Sequence, residues 1–255
     1  MDLKLNSAVA LVTGGCSGIG LCIVEQFLSE GARVAILDRA ELTASQLMDH
    51  PNVFSVQVDL THETATRQAV KRVHQHFGRL DIVINNAGVN DSITLDRSSE
   101  DFLSSLQKNL VHYFSVVSAA KPYLVASPQG AIVNIGSKVS LTGQGQTSAY
   151  AAAKGGVNAL TREWAVGLAE HSVRVNTVIP AEVWTSMYER WLQTLENPEA
   201  EKQSIEQSIP LGHRMTTPEE IATAVLFLAS PVSSHTTGQI LCVDGGYTHL
   251  DRRYR

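Results

Sequence analysis

Residues 8–20, AVALVTGGCSGIG, decide the fold, because an apolar run passes directly into a glycine-rich turn. The run over 8–14 predicts a buried β-strand, and residues 18–30 predict the helix that follows it. The glycines permit a tight turn and let a helix N-terminus approach an anionic group closely. Their spacing is TGxxxGxG rather than GxGxxG, so the turn alone is weak support for a dinucleotide site. An ordinary strand-to-helix turn stays open as the alternative.

The same pattern recurs along the rest of the chain, where apolar runs alternate with helical ones. Further strands are predicted over 33–38, 53–59, 80–88, 130–137, 173–180 and 238–246. Helices are predicted between them over 62–77, 99–126, 148–170 and 218–229. Nearly continuous Val, Ile and Leu is typical of parallel strands covered on both faces. We therefore predict a single α/β domain over 1–255, a Rossmann-like doubly wound parallel sheet of about seven strands.

The composition excludes several classes of protein. With 44% hydrophobic and 18% charged residues, the chain can bury a sizeable core and is not expected to be disordered. A net charge of −5, with a basic tail of only Arg252–Arg255, predicts no nucleic-acid partner. No apolar run reaches the roughly 18 residues of a membrane span, so no membrane association is expected. Cys16, Cys22 and Cys242 lack metal-ligand spacing, which favours reduced thiols in a cytoplasmic protein without a metal.

Polar residues at the ends of the next predicted strands extend the nucleotide-binding edge, since the carboxyl ends of strands line the ligand crevice of open α/β sheets. Asp38 follows Gly20 by 18 residues and can accept hydrogen bonds from a ribose 2′-hydroxyl, which favours NAD over NADP. Arg39 is the counterargument, because its side chain could pair with a 2′-phosphate. Asp38 could also be a plain turn former. Asp59 and the NNAG run at 85–88 end the third and fourth strands.

A tyrosine and a lysine on one predicted helix indicate acid–base chemistry. Tyr150 and Lys154 lie four residues apart in SAYAAAKGG and therefore share a helix face. A nearby ammonium favours the phenolate and lowers a tyrosine pKa, so Tyr150 is predicted to act as a general base. Ser137 ends the fifth strand, where its hydroxyl can hold a substrate oxygen. Asn109 interrupts an apolar helical run, and its buried amide could hold a water that links the lysine to solvent.

Together these motifs resemble the short-chain dehydrogenase/reductase family over nearly the whole chain. The resemblance rests on TGGCSGIG, Asp38, Asp59, NNAG, Asn109, Ser137, YAAAK, Pro180 with Thr185, and VDGG. It implies a catalytic tetrad of Asn109, Ser137, Tyr150 and Lys154. It implies that NAD is bound by Gly14, Ser17, Gly18, Ile19, Gly20, Asp38, Asp59, Leu60, Asn86, Ala87, Gly88, Tyr150, Lys154, Pro180, Val183 and Thr185. It also implies a homotetramer, or a dimer. Where the family commonly has glycine after the proline, this chain has Ala181, which leaves the path of the following loop open.

Some segments are closer to one group within the family. NNAGVND (85–91), SKVSLTGQGQTSAY (137–150) and IPAEVWTSMY (179–188) are similar to bacterial L-fucose dehydrogenases and, more distantly, to a type 14 17β-hydroxysteroid dehydrogenase. This resemblance implies that substrate is bound by Asn90, Ser137, Gln144, Tyr150, Glu182 and Tyr188. Such side chains carry many donors and acceptors and suit sugar hydroxyls, whereas a steroid site should be mostly apolar. We expect the polar stretch 182–212 to close over the substrate as a lid.

The predicted activity is therefore NAD-dependent oxidation of a small neutral sugar, with the anomeric hydroxyl of L-fucose or a related aldose converted to the lactone. A carboxylate substrate would be repelled by Glu182 unless Arg214 or His213 intervened. The alternatives are a dehydrogenase of another secondary alcohol, such as a keto-deoxy sugar acid, a polyol or a steroid-like alcohol, or a non-catalytic dinucleotide sensor on the same fold. The C-terminal stretch 247–255 could reach the site of a neighbouring subunit.

Overall fold

Parallel strands form one twisted sheet in the computed structural model, which describes residues 2–249. The order across the sheet is β3-β2-β1-β4-β5-β6-β7. The strands are β1 (Val9–Thr13), β2 (Arg33–Asp38), β3 (Val53–Gln57), β4 (Ile82–Asn85), β5 (Ala131–Ile135), β6 (Arg174–Pro180) and β7 (Ile240–Val243). The predicted seven-stranded Rossmann-like sheet is confirmed.

The helices alternate with the strands and cover both faces of the sheet. They are α1 (Gly18–Ser29), α2 (Ser45–Met48), α3 (Glu63–Phe77), α4 (Ser99–Leu106), α5 (His112–Ala126), α6 (Ser148–Gly167), α7 (Ser186–Leu192), α8 (Pro198–Gln207) and α9 (Pro218–Ala229). Helices α1 and α9 pack on one face, and α3 and α5 pack on the other. Burial on both faces explains why the central strands β1, β4 and β5 are mostly apolar.

The chain reverses its direction across the sheet between β1 and β4. It runs outward from β1 to β2 and β3, and then returns to place β4 beside β1, with Leu11 opposite Val83. The connections that follow the two strands therefore leave in opposite directions and open a crevice at the carboxyl ends of the strands. Open α/β sheets bind ligands at such a crevice. The glycine-rich turn after β1 and the NNAG run after β4 flank this crevice.

The helical stretch predicted over 99–126 is confirmed, but its middle contains an irregular turn that was not predicted. A π-helical turn, Gln107–Val111, separates α4 from α5 and contains Asn109. Such a turn inserts one extra residue into a helix and re-aims its side chains, which a regular helical periodicity does not predict. The short helix α2 was also not predicted.

The stretch 182–212 contains α7 and α8. Lys202 of α8 places its ammonium 4.5 Å from the ring centroid of Trp184, which connects the two ends of the stretch. Within residues 2–249, no helix is long and apolar enough to cross a membrane, and no three His, Cys, Asp or Glu side chains gather as a metal site. The basic tail Arg252–Arg255 lies outside the described residues, so the expectation about its reach stays a prediction.

Candidate active site

The glycine turn is fixed against the end of β4 by close backbone contact. A Cβ on Gly14, where φ is +66°, would lie 2.9 Å from Cα of Ala87, and a Cβ on Gly20 would lie 2.0 Å from the Gly14 carbonyl oxygen. The Asn86 amide donates to the carbonyl oxygens of Thr13 and Gly14, both at 3.0 Å. Glycine is therefore required at these positions, and the predicted residues Gly14, Gly20, Asn86 and Ala87 lie together at the crevice.

The N-terminus of α1 opens toward the loop that follows β6. Ser17 is the N-cap residue, and within the described part of the chain its side chain makes no capping hydrogen bond to the helix. A Cβ on Gly18, where φ is +54°, would lie 3.8 Å from the Thr185 side chain. The first-turn amides, including that of Ile19, and the helix dipole suit a pyrophosphate. The start of α1 and the loop that carries Thr185 face each other, and their residues therefore fit a nicotinamide dinucleotide.

Asp38 ends β2 directly beside the glycine turn. Its carboxylate accepts hydrogen bonds from the backbone amides of Cys16 at 3.0 Å and Ala40 at 2.9 Å. Burial, with a further contribution from the charge of Asp38, raises the pKa of the Cys16 thiol to about 12. Cys16 is therefore a neutral thiol at physiological pH, and each oxygen of the Asp38 carboxylate accepts from one backbone amide.

Asp59 and Leu60 follow β3 at the same edge of the sheet. The Asp59 carboxylate accepts from the Thr61 amide at 2.9 Å and the Thr61 hydroxyl at 2.7 Å, and these hydrogen bonds lower its pKa. Leu60 is buried, with 9% exposure, and its carbonyl oxygen accepts from the Thr66 hydroxyl. Asp59 is thus an exposed carboxylate held in a turn, and its predicted contact with the cofactor stays a prediction.

Lys154 is buried, with 2% exposure, although Tyr150 one helical turn away is only half-buried. Its ammonium lies 5.6 Å from the Tyr150 ring centroid and donates to the Ile135 carbonyl oxygen at 2.8 Å and the Tyr113 hydroxyl at 3.0 Å. Burial lowers the pKa of Lys154 to about 7, so the ammonium is only partly protonated at neutral pH. The helix α6 does bring Tyr150 and Lys154 to one face, as predicted.

The predicted lowering of the Tyr150 pKa is wrong for the protein alone. Burial raises the pKa of Tyr150, and a hydrogen bond with Ser137 opposes that shift. The net shift is upward because burial is the larger of these two contributions. Ser137 and Tyr150 are nevertheless neighbours, which is the arrangement needed to orient one hydroxyl between them.

Asn109 is held by hydrogen bonds of its own side chain, and its predicted part in a water link from the lysine to solvent stays a prediction. Its side-chain oxygen accepts from the Val89 amide at 2.7 Å, and its amide donates to the carbonyl oxygens of Val89 at 2.8 Å and Ser105 at 3.0 Å. The side chain is fully buried and its hydrogen bonds are made within the protein. Asn109 therefore fixes the loop after β4, near Gly88, and no direct bond to Lys154 is seen among the described residues.

Glu182 lies inside a partly buried polar cluster formed with Lys138 and Tyr188, which we call the acid cluster. The Lys138 ammonium forms an ion pair with one Glu182 oxygen, and each of these two side chains is 12% exposed. The Tyr188 hydroxyl donates to the other oxygen at 2.7 Å, and burial together with the charge of Glu182 raises the pKa of Tyr188. The ring of Tyr247 lies 4.3 Å from the Lys138 ammonium. Because Lys138 follows Ser137 directly, the acid cluster adjoins the catalytic residues implied by the resemblance.

The loop after Pro180 keeps a defined path even though Ala181 replaces the usual glycine. The Thr216 amide donates to the Glu182 carbonyl oxygen, and the Trp184 amide donates to that of Thr216, both at 2.9 Å. Val183, between them, is buried. Thr185 then accepts from the Tyr188 amide and caps α7. This short pairing fixes the backbone of the loop, and the Glu182 side chain lies in the acid cluster beside Lys138.

The remaining predicted substrate residues lie on exposed loops. Asn90 accepts a 3.3 Å hydrogen bond from the Ser92 amide, and Gln144 is exposed within the loop before α6. Arg214 does not neutralise the charge of Glu182, because it forms an ion pair with Glu220 at 2.6 Å. His213 is exposed, with its Nδ1 atom 3.2 Å from the Gln207 carbonyl oxygen. Lys138, which was not predicted, is the cation that neutralises Glu182.

Comparison with known proteins agrees with this geometry. A family model described as enoyl-(acyl carrier protein) reductase matches residues 14–248. The chain is 36% identical to 3-oxoacyl-[acyl-carrier-protein] reductase FabG of Thermotoga maritima, over 96% of this chain and 99% of that protein. It is 35% identical to L-fucose dehydrogenase of Bos taurus, over 96% of this chain and 91% of that protein. The crystal structure of Cj0485 dehydrogenase is 42% identical, with a TM-score of 0.94, over 99% of this chain and 98% of that one.

The chain belongs to the short-chain dehydrogenase/reductase family. It is therefore an oxidoreductase that uses a nicotinamide dinucleotide. The relatives named above act on different substrates, as their names state, so family membership alone does not choose between a fatty-acyl carbonyl and a sugar.

Proposed function

We propose that the protein is an NAD-dependent dehydrogenase that oxidises the anomeric hydroxyl of a small neutral sugar, such as L-fucose, to the lactone. The observation that carries the proposal is the acid cluster, whose Lys138 directly follows Ser137 in the chain. It presents a carboxylate, an ammonium and a phenol, and these groups can donate to and accept from several hydroxyls at once. Its two charges are paired, which suits an uncharged polar substrate.

The proposed chemistry assigns a step to each residue. A nicotinamide dinucleotide held at the crevice would supply, in its oxidised form, the acceptor for the hydride of the sugar's anomeric carbon. Ser137 holds the hydroxyl oxygen, and Tyr150 as the phenolate removes its proton, so the carbon–oxygen single bond becomes a carbonyl. The partly protonated Lys154 supplies positive charge near the phenolate. Loss of one hydride and one proton from the hemiacetal gives the lactone.

A substrate comparison tests the proposal directly. L-fucose, D-arabinose, L-galactose and a keto-deoxy sugar acid would be compared with NAD and with NADP, alongside a 3-oxoacyl thioester with NADPH. We expect the neutral aldoses with NAD to have the highest kcat/KM. Preference for the thioester, with no turnover of sugars, would reject the sugar proposal and leave the family assignment intact.

Cofactor preference is the first residue-level prediction. Asp38→Ser removes the carboxylate at the end of β2, so the ribose hydroxyls of NAD lose a charged acceptor while a 2′-phosphate no longer meets a like charge. We expect the ratio of kcat/KM for NAD to that for NADP to fall by about tenfold to a hundredfold, since a hydrogen bond to a charged group contributes roughly 1.5–3 kcal/mol. Steady-state kinetics with both cofactors provides the measurement.

Arg39→Gln is the matched variant for this prediction, because Arg39 is exposed beside Asp38. It should leave the NAD rate unchanged. An unchanged cofactor ratio in Asp38→Ser would show that Asp38 only forms the turn through its bonds to Cys16 and Ala40.

Glu182 carries the second prediction. Glu182→Gln keeps the size of the side chain but removes the charge that binds Lys138 and accepts from Tyr188. We expect KM for the sugar to rise by about tenfold to a hundredfold, as a lost charge-assisted hydrogen bond implies, with KM for NAD little changed. Initial-rate measurements with each substrate varied in turn separate the two constants.

Glu189→Gln is the control for this change, because Glu189 is an exposed acid on α7. Equal increases of both KM values in Glu182→Gln would identify Glu182 as a structural residue of the loop and would argue against a substrate contact.

We also propose a homotetramer. Exposed apolar side chains on α4, the π-helical turn and α5 support it, namely Leu103, Val111 and Phe114. Light scattering on the purified protein would measure the assembly directly. That residues 182–212 act as a lid remains a prediction. That the protein is cytoplasmic also remains a prediction.

A further inference from the structure

Lys154 has an unusual set of partners for a buried ammonium. Among the described residues it forms no ion pair, and its neighbours within hydrogen-bond distance are the Ile135 carbonyl oxygen and the Tyr113 hydroxyl. A buried cation without a carboxylate depends on neutral acceptors to keep its charge and its position. The identity of these acceptors therefore decides how Lys154 behaves.

Tyr113 is the side chain that meets this need. It is fully buried, its ring centroid lies 5.0 Å from the Lys154 ammonium, and its hydroxyl accepts from that ammonium at 3.0 Å. The same hydroxyl donates to the Ile135 carbonyl oxygen at 3.1 Å. The three groups form a closed triangle that fixes Lys154 to the end of β5, two residues before Ser137.

Tyr113 lies in α5, just after the π-helical turn that contains Asn109. The Asn109 side chain makes its hydrogen bonds to Val89 and Ser105. Tyr113, four residues further along, accepts a hydrogen bond from Lys154. We propose that Tyr113 is a positioning residue that holds the Lys154 ammonium against the end of β5 and keeps it charged. This inference rests on the proposed role of Lys154 in catalysis.

The electrostatic surroundings give the sign of the effect. The titratable groups around Lys154 are Tyr150 on its own helix and Tyr113 and His112 on α5, and Asp59 acts on His112 from the loop after β3. Burial lowers the pKa of His112 to about 4 and raises that of Tyr113, so both are neutral near pH 7. Loss of the Tyr113 hydroxyl would remove an acceptor from the charged lysine alone, and the Lys154 pKa would fall further below about 7.

Tyr113→Phe tests the proposal with little change in volume. A less charged and less firmly held Lys154 supports the Tyr150 phenolate less, so kcat for alcohol oxidation near pH 7 should fall by about tenfold, as a difference of about one pKa unit implies, with KM for the sugar little changed. A loosened fold would instead raise KM for the sugar as well and lower the melting temperature.

A direct titration keeps this inference separate from the proposed activity. The pKa of Lys154, followed by NMR of ¹³Cε-labelled lysine in the full chain, should be lower in Tyr113→Phe than in the wild type whatever the substrate is. Tyr123→Phe, on the outer part of α5 where Tyr123 stacks on His74 at 4.0 Å, is the matched control and should change neither readout. An unchanged Lys154 titration or an unchanged kcat in Tyr113→Phe would overturn the proposal, while a shifted titration without turnover of any sugar would reject only the proposed substrate.

Discussion

Tyr150→Phe is expected to reduce NADH formation by about a thousandfold or more while NAD still binds, since a positioned general base contributes roughly 10²–10⁴-fold. The substitution keeps the ring that packs beside Lys154 and removes only the hydroxyl that neighbours Ser137. Because burial raises the Tyr150 pKa, the wild-type oxidation rate should rise with pH as the phenolate forms. The residual rate of the variant should lose this rise.

Two measurements make the result decisive. Fluorescence titration with NADH shows whether the cofactor site survives, and stopped-flow or steady-state rates over a range of pH show whether the rising limb disappears. Tyr123→Phe removes a phenol far from the crevice and should behave like the wild type. Retained turnover with an unchanged pH profile in Tyr150→Phe would reject Tyr150 as the base.

The fold was accessible from sequence because its signals are local and repeated. The buried central strands are apolar runs, and Gly14 and Gly20 of TGGCSGIG are required by close backbone contacts that the strand-turn-helix order already implies. The π-helical turn Gln107–Val111 could not be predicted from the sequence, since such a turn leaves the apolar pattern around it nearly unchanged. The four-residue spacing of Asn109 and Tyr113 could have indicated that both side chains face the active site, because residues four apart share a helix face.

The electrostatics of the site depended on contacts between distant segments. The charge of Glu182 was visible in the sequence, but its pairing with Lys138 joins residues 44 positions apart. The direction of the Tyr150 pKa shift was predicted wrongly for a related reason, since the spacing on α6 does not reveal how the folded chain buries the phenol. Residue types at strand ends predicted where the chemistry lies, whereas their partners required the folded chain.

Gly20→Ala is expected to damage the cofactor site more than any other single methyl group would. The new Cβ would lie 2.0 Å from the Gly14 carbonyl oxygen and 2.5 Å from the Asn86 side-chain nitrogen, so α1 must move away from the turn. Overpacking of this kind costs about 1–3 kcal/mol of folding stability. The first-turn amides then no longer converge on one anion. We expect NAD affinity to fall by about tenfold to a hundredfold, or roughly 1.4–2.8 kcal/mol of binding free energy.

Gly167→Ala is the matched control, because Gly167 is an exposed residue of α6 and a Cβ there would meet nothing within 4 Å. Alanine in a helix is favoured over glycine by about 0.5–1 kcal/mol, so this variant should melt slightly higher and bind NAD normally. Isothermal titration and thermal unfolding of both variants separate loss of the site from loss of the fold. A Gly20→Ala protein with wild-type affinity would mean that the crevice between β1 and β4 does not bind the cofactor's phosphates through the start of α1, and the NAD site would have to be reassigned along the sheet edge.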